Sequence, residues 1–85
     1  MEIAFTYQAV KDIQYWKSKK NKLIQERIEK LLESICQSPS EGMGKPERLK
    51  YDLAGCWSRR INSEHRIVYT VNREIITIIS VRFHY

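Results

Sequence analysis

Apolar side chains recur along this chain with two different periods. Residues 2–5, Glu-Ile-Ala-Phe, alternate in polarity, which predicts a short strand with Ile3 and Phe5 facing inward and a place at a sheet edge. Thr6 is suited to cap a following helix in which Ala9, Val10, Ile13 and Trp16 return at helical spacing, with Lys11, Asp12 and Lys17 elsewhere on its surface. Trp16 is expected to anchor the core. The polar run at 18–21 interrupts the stripe. It resumes with Leu23, Ile24, Ile28, Leu31, Leu32 and Ile35, opposite a face of Gln25, Glu26, Glu29, Lys30 and Glu33. Two helices joined by so short a turn predict an antiparallel hairpin whose apolar stripe must lie on a sheet.

The remaining residues supply that sheet. Residues 38–46 hold both prolines and two of the three glycines, so they end the second helix and form an ordered loop. Strands are expected at 47–51, 56–61, 64–71 and 74–84, separated by turns at Gly55, Asn62-Ser63 and Asn72-Arg73; this spacing argues for an antiparallel meander. Residues 75–81 are apolar on both faces, as a central strand covered by helices would be. The predicted fold class is α+β, a single domain over residues 1–85, with a short N-terminal strand and a helical hairpin packed on one face of a mainly antiparallel sheet. The far face would present arginines and polar residues. Whether Arg66 and His84 share it depends on register: a simple two-residue turn at 72–73 separates them, whereas one bulge or a longer loop brings them together.

Charge narrows the partners. With 15 Lys and Arg against 10 Asp and Glu, the net charge is +5, and a polyanion, nucleic acid before a membrane surface, is the first partner to weigh against charge that merely keeps the chain soluble. Cys36 and Cys56 have neither metal-ligand spacing nor the density of a small secreted disulfide scaffold, so both are read as free thiols in a reducing cytoplasm. The first twelve residues lack the basic segment, apolar run and small-residue cleavage site of a signal peptide, and no apolar stretch approaches membrane length, so a soluble intracellular protein is expected.

Candidate chemistry concentrates at residues 42–66 and in the last four residues, Arg-Phe-His-Tyr. An RNA phosphodiester can be cut without a metal or cofactor if a base takes the proton of the 2′-hydroxyl, an acid protonates the departing 5′-oxygen, and fixed cations meet the charge on the phosphoryl oxygens. Glu47, His84 and Arg66 are the right three types, with Lys45, Arg48, Lys50, Arg59 and Arg60 available to hold flanking phosphates. A carboxylate among cations is a weak proton acceptor, so desolvation under RNA would have to favour Glu47 as base. The carboxylate of Tyr85 should favour the protonated imidazole that an acid at His84 needs. Tyr85 and Trp57 are candidates for stacking on a base, with a core position the alternative for Trp57. His65, next to a turn, reads as a structural hydrogen-bonder before an acid. On the residues alone, nuclease, nucleic-acid binding without chemistry, and a basic interaction domain all stay open.

The words G-K-P-E-x-L-K, W-S-R-R-I and E-H-R-x-V-Y, followed by the final H-Y, resemble the YoeB (Txe) branch of the RelE/ParE toxin superfamily, and the similarity of pattern runs the whole length of the chain. The resemblance implies a ribosome-dependent endoribonuclease that cuts messenger RNA in the A site of the 70S ribosome, with Glu47 as general base, His84 as general acid, Arg66 as stabiliser of the phosphoryl transition state and Tyr85 as an orienting or stacking residue. It implies that Lys50, Arg59 and Arg60 hold RNA. It also implies a homodimer, neutralisation by a YefM-type antitoxin, and contact with operator DNA only through that complex. A ParE-like inhibitor of DNA gyrase, which shares the fold without the catalytic residues, and an RNA-binding module that does not cut are the alternatives.

Overall fold

The computed structural model describes residues 2–83, and His84 and Tyr85 lie outside the described residues. Chain order runs β1 (Glu2–Phe5), α1 (Tyr7–Ser18), α2 (Lys22–Gln37), β2 (Glu47–Arg48), a 3-10 turn (Tyr51–Leu53), β3 (Cys56–Arg60), β4 (Arg66–Asn72) and β5 (Ile75–Ser80). The five strands form one sheet in the order β1, β5, β4, β3, β2. β1 joins it at the edge, parallel to β5, while every other pairing is antiparallel. This is the α+β architecture that the two apolar periods predict.

Both helices start where the sequence has a capping side chain. Thr6 accepts a hydrogen bond from the Ala9 amide at 3.0 Å and Asn21 accepts one from Ile24 at 3.2 Å, each satisfying an amide that has no partner inside its helix. Their apolar stripes bury Ala9, Trp16, Ile28, Leu31 and Ile35 against Ile67, Tyr69, Ile76, Ile78 and Val81 of the sheet side. Burying a branched side chain of this kind contributes roughly 1.5–3 kcal/mol, so this layer is the main source of stability.

The strands differ from the sequence reading at their ends. The strand expected at 47–51 keeps only two residues, because the chain turns into the 3-10 element at Tyr51. The strand expected from Glu64 begins at Arg66, since the Asn62 side chain accepts from the amides of Glu64 and His65, both at 2.8 Å, and closes a turn there. The following hairpin turn falls at Arg73-Glu74, one residue later than read, with Asn72 paired to Ile75 and Arg73 at a φ of 58°. β5 ends at Ser80, well short of residue 84.

The early end of β5 has a cause in α1. Val68 pairs with Ser80 and Tyr69 with Ile78, so Ile79 is an extra residue that bulges from the ladder. Side chains on α1 and its N-cap take over backbone groups that the ladder no longer serves. The Thr6 hydroxyl donates to the Ile79 carbonyl at 2.7 Å, Asp12 accepts from the Val81 amide at 2.9 Å, and the Trp16 indole donates to the Val81 carbonyl at 2.9 Å. Asp12, read from the sequence as a surface residue, is therefore buried, at 3 % exposure. Its position three residues after Ala9 and four before Trp16 puts it on the inward stripe.

Asp12→Ala leaves the buried Val81 amide without an acceptor. The expected cost is about 2 kcal/mol, or a fall of roughly 10 °C in melting temperature for a domain of this size, measured by thermal unfolding followed by circular dichroism. Asp12→Asn, which keeps one acceptor oxygen, should lose less.

Candidate active site

Two strand pairings assemble the site. Glu47 lies opposite Ser58, and Arg60 lies opposite Arg66, so alternation along β3 brings Glu47, Ser58, Arg60 and Arg66 to one face of the sheet. This is the face turned away from the helices. Across it, Oε2 of Glu47 stands 4.0 Å from Nη1 of Arg66; the glutamate side chain is half exposed and the arginine mostly covered. Arg60, Lys45 and Lys50 are exposed on the surrounding surface. Trp57 packs against the core and carries the Arg48 guanidinium 5.3 Å from its ring centroid, so the core alternative for this residue is the one observed.

Of the residues expected to take part, the structure brings Glu47 and Arg66 together. The ladder between β4 and β5 contains one bulge, at Ile79, and β5 ends at Ser80. His84 and Tyr85 themselves fall outside the described residues. The last residues before them are firmly tied. Phe83 donates its amide to Nδ1 of His65 at 2.8 Å and accepts from the Arg66 amide at 2.9 Å. His65 thus fills the structural role expected of it. Its ring meets the buried Trp16 edge-on at 4.8 Å, and Arg82 stacks 3.4 Å from the centroid of Tyr15.

Arg59 departs from the sequence reading. It was expected to hold RNA, but its side chain is completely buried on the helix side of the sheet. The guanidinium has five N–H donors, and all five are used: Nε donates to the Tyr69 hydroxyl, Nη1 to the Ser34 hydroxyl and the Met43 carbonyl, and Nη2 to the carbonyls of Ser38 and Glu41. Tyr69 in turn donates its hydroxyl to the Pro39 carbonyl at 2.6 Å. The loop between α2 and β2 is thereby folded around one cation. It fits only with glycine at two places: a Cβ on Gly42 would come within 2.5 Å of the Ser34 hydroxyl, and one on Gly44 within 2.7 Å of the Leu31 side chain, both at positive φ. Gly44 also accepts from the Arg60 amide at 2.6 Å, so the loop enters β2 in a fixed position beside β3.

Ser34 and Tyr69 are the site-supporting residues that sequence reasoning missed. Tyr69 could have been found, because the alternation along 66–72 turns it inward with Ile67, where a phenol needs a hydrogen-bond partner. Burial raises its pKa above the ordinary tyrosine value of 10.0, against the smaller lowering effect of the Arg59 hydrogen bond and charge.

The fold and this face define a small α+β domain with a basic, carboxylate-bearing sheet surface, and comparison with known proteins gives its family. The family of YoeB-like toxins of bacterial type II toxin-antitoxin systems matches residues 5–85. A relative named Toxin YoeB from Synechocystis sp. is 49 % identical over 85 residues, covering 100 % of this chain and 98 % of that one. Among solved structures, a YoeB/ParE toxin from Agrobacterium tumefaciens superposes with a TM-score of 0.93 at 39 % identity, covering 100 % of both chains. The toxin of a YoeB-YefM complex from Staphylococcus aureus does so with a TM-score of 0.88 at 46 % identity over 100 % of this chain and 98 % of that one, and a YoeB dimer from the same organism gives 0.89 at 45 % over the same shares. The chain belongs to the family of YoeB-like type II toxins.

Two substitutions separate the adjacent arginines. Arg59→Lys concentrates its donors on one nitrogen that cannot span the loop, and should cost on the order of 3 kcal/mol, whereas Arg60→Ala should stay within about 0.5 kcal/mol of wild type; denaturant unfolding at neutral pH measures both. Tyr69 adds a pH signature. Because its folded pKa is raised, its contribution to stability is intact below 10.0 and declines as pH rises through 10.0 towards the folded value. Subtracting Tyr69→Phe from wild type between pH 8 and 11 should reveal that decline.

Proposed function

We propose that the Glu47 and Arg66 face cleaves RNA by attack of a 2′-hydroxyl on its own 3′-phosphate. Glu47 takes the hydroxyl proton as the new P–O2′ bond forms, His84 gives a proton to the 5′-oxygen as the P–O5′ bond breaks, and Arg66 stabilises the charge on the phosphoryl oxygens. The products are a 2′,3′-cyclic phosphate and a 5′-hydroxyl. Tyr85 orients or stacks on a base, and Lys45, Lys50 and Arg60 hold neighbouring phosphates. No step calls for a metal. The substrate is messenger RNA in the ribosomal A site, and the toxin acts as a homodimer neutralised by a YefM-type antitoxin in the cytoplasm, in keeping with the relatives solved as a dimer and as a YoeB-YefM complex.

The observation that carries this reading is the 4.0 Å approach of the half-exposed Glu47 carboxylate to the Arg66 guanidinium on the basic face. An ion pair at 4.0 Å whose carboxylate is half exposed contributes about 0–1 kcal/mol to folding, so stability is a poor reason for it. An acid or base and a cation at that spacing can, by contrast, bracket one phosphodiester.

Glu47→Gln and Arg66→Ala should each lower cleavage at least about a hundredfold with melting temperatures near wild type. The measurement is mapping of new RNA 5′ ends on messages translated in a reconstituted system. Wild-type cleavage by both variants would remove the site assignment, and inhibition of gyrase supercoiling without any RNA cleavage would favour a ParE-like activity.

A further inference from the structure

The segment after β5 is held in an unfavourable conformation immediately before His84. Phe83 has a φ of 66°, in the left-handed region that a residue with a bulky side chain seldom occupies. Such a conformation costs of order 1–3 kcal/mol and persists only where its surroundings over-determine it. Here the surroundings are two hydrogen bonds to the same residue: Nδ1 of His65 accepts from the Phe83 amide at 2.8 Å, and the amide of Arg66 donates to the Phe83 carbonyl at 2.9 Å. Both come from adjacent positions at the start of β4, and the second belongs to a residue of the site itself.

His65 is equipped to hold that geometry. Its side chain is 15 % exposed and its ring packs edge-on against Trp16, which is fixed in turn by the bond from its indole to Val81. Nδ1 accepts a hydrogen bond, so the ring hydrogen resides on Nε2, on the side of Glu64 at 4.0 Å.

We propose that His65 is a positioning residue for the cleavage reaction, acting through Phe83 to fix the backbone from which His84 and Tyr85 extend. This rests on the ribonuclease reading above for its consequence, though not for the clamp itself. The ring of His65 and its acceptor nitrogen have separable duties: the ring packs on Trp16 and stabilises the fold, and Nδ1 holds the Phe83 amide and sets the reaction geometry. A misplacement of about 1 Å in a reacting group can cost on the order of a hundredfold in rate.

Two variants divide these duties. His65→Phe keeps a ring without the acceptor, and His65→Asn keeps an acceptor oxygen near the position of Nδ1 without the ring. The expected result is a crossed ranking. His65→Phe melts near wild type but loses about a hundredfold in cleavage rate, mainly in turnover and not in substrate binding; His65→Asn melts lower but retains more of the activity. Hydrogen exchange at the Phe83 amide, read by NMR on the purified toxin, should accelerate in His65→Phe and stay slow in His65→Asn. Activity that simply follows melting temperature, or an equally protected Phe83 amide in His65→Phe, overturns the proposal. The exchange measurement needs no substrate, so failure of the ribonuclease reading, seen as full cleavage by Glu47→Gln and Arg66→Ala, is distinguishable from failure of the clamp.

Discussion

A buried cation bound by five uncharged acceptors sets the shape of this protein's candidate site. Removing a guanidinium from water is expensive unless every donor finds an acceptor, and Arg59 meets that condition with a serine, a tyrosine and three main-chain carbonyls. The acceptors come from α2, from β4 and from the loop that joins α2 to β2. The same five bonds therefore hold the sheet, the helical layer and the irregular loop in one arrangement. Glu47 opens β2 only three residues after Gly44, whose carbonyl is itself bound to the Arg60 amide. The position of the proposed base is thus inherited from a residue that never reaches the surface.

The segment that follows β5 is fixed by a different device. Where the bulge at Ile79 ends the regular ladder, α1 supplies a hydroxyl, a carboxylate and an indole to the backbone of 79–81, and His65 and Arg66 take over at Phe83. The Ile79 carbonyl and both backbone groups of Val81 and Phe83 are met in this way, as buried polar groups require. An irregular segment made in this way can be as rigid as a strand, and it can aim residues in directions that a continued strand would not allow.

Much of this architecture was legible in the chain, for reasons that vary by element. The α2 stripe, apart from Leu23, which is exposed in the first turn, and the alternation of β4 are strong periodic signals that tertiary structure had no cause to override. The neighbouring Arg59 and Arg60 show the limit of such signals. Alternation says that the two point to opposite faces, but only the presence of Ser34, Tyr69 and the loop carbonyls decides that Arg59 is the one inside. Asp12 was misread because a charged side chain on an apolar stripe normally turns outward, and its acceptor role depends on Val81, 69 residues away. The bulge at Ile79, after which β5 soon ends, leaves no mark in composition. The pairing of Glu47 with Arg66 was readable as chemistry, yet its distance emerges from two strand registers that no single stretch encodes.

The parallel pairing of β1 with β5 also has a consequence for how the chain comes into being. Glu2, Ile3, Ala4 and Phe5 find their partners only at Ile75, Ile76, Thr77 and Ile78, and the polar side chains of α1 find theirs at 79–81. Contacts of such large sequence separation form late and slowly, because a long loop must close before they contribute. During synthesis, α2 and the β3–β4 hairpin can form early, while the first strand and first helix wait with apolar faces uncovered. A toxin built this way has no finished core while residues 75–81 are still inside the ribosome that makes it.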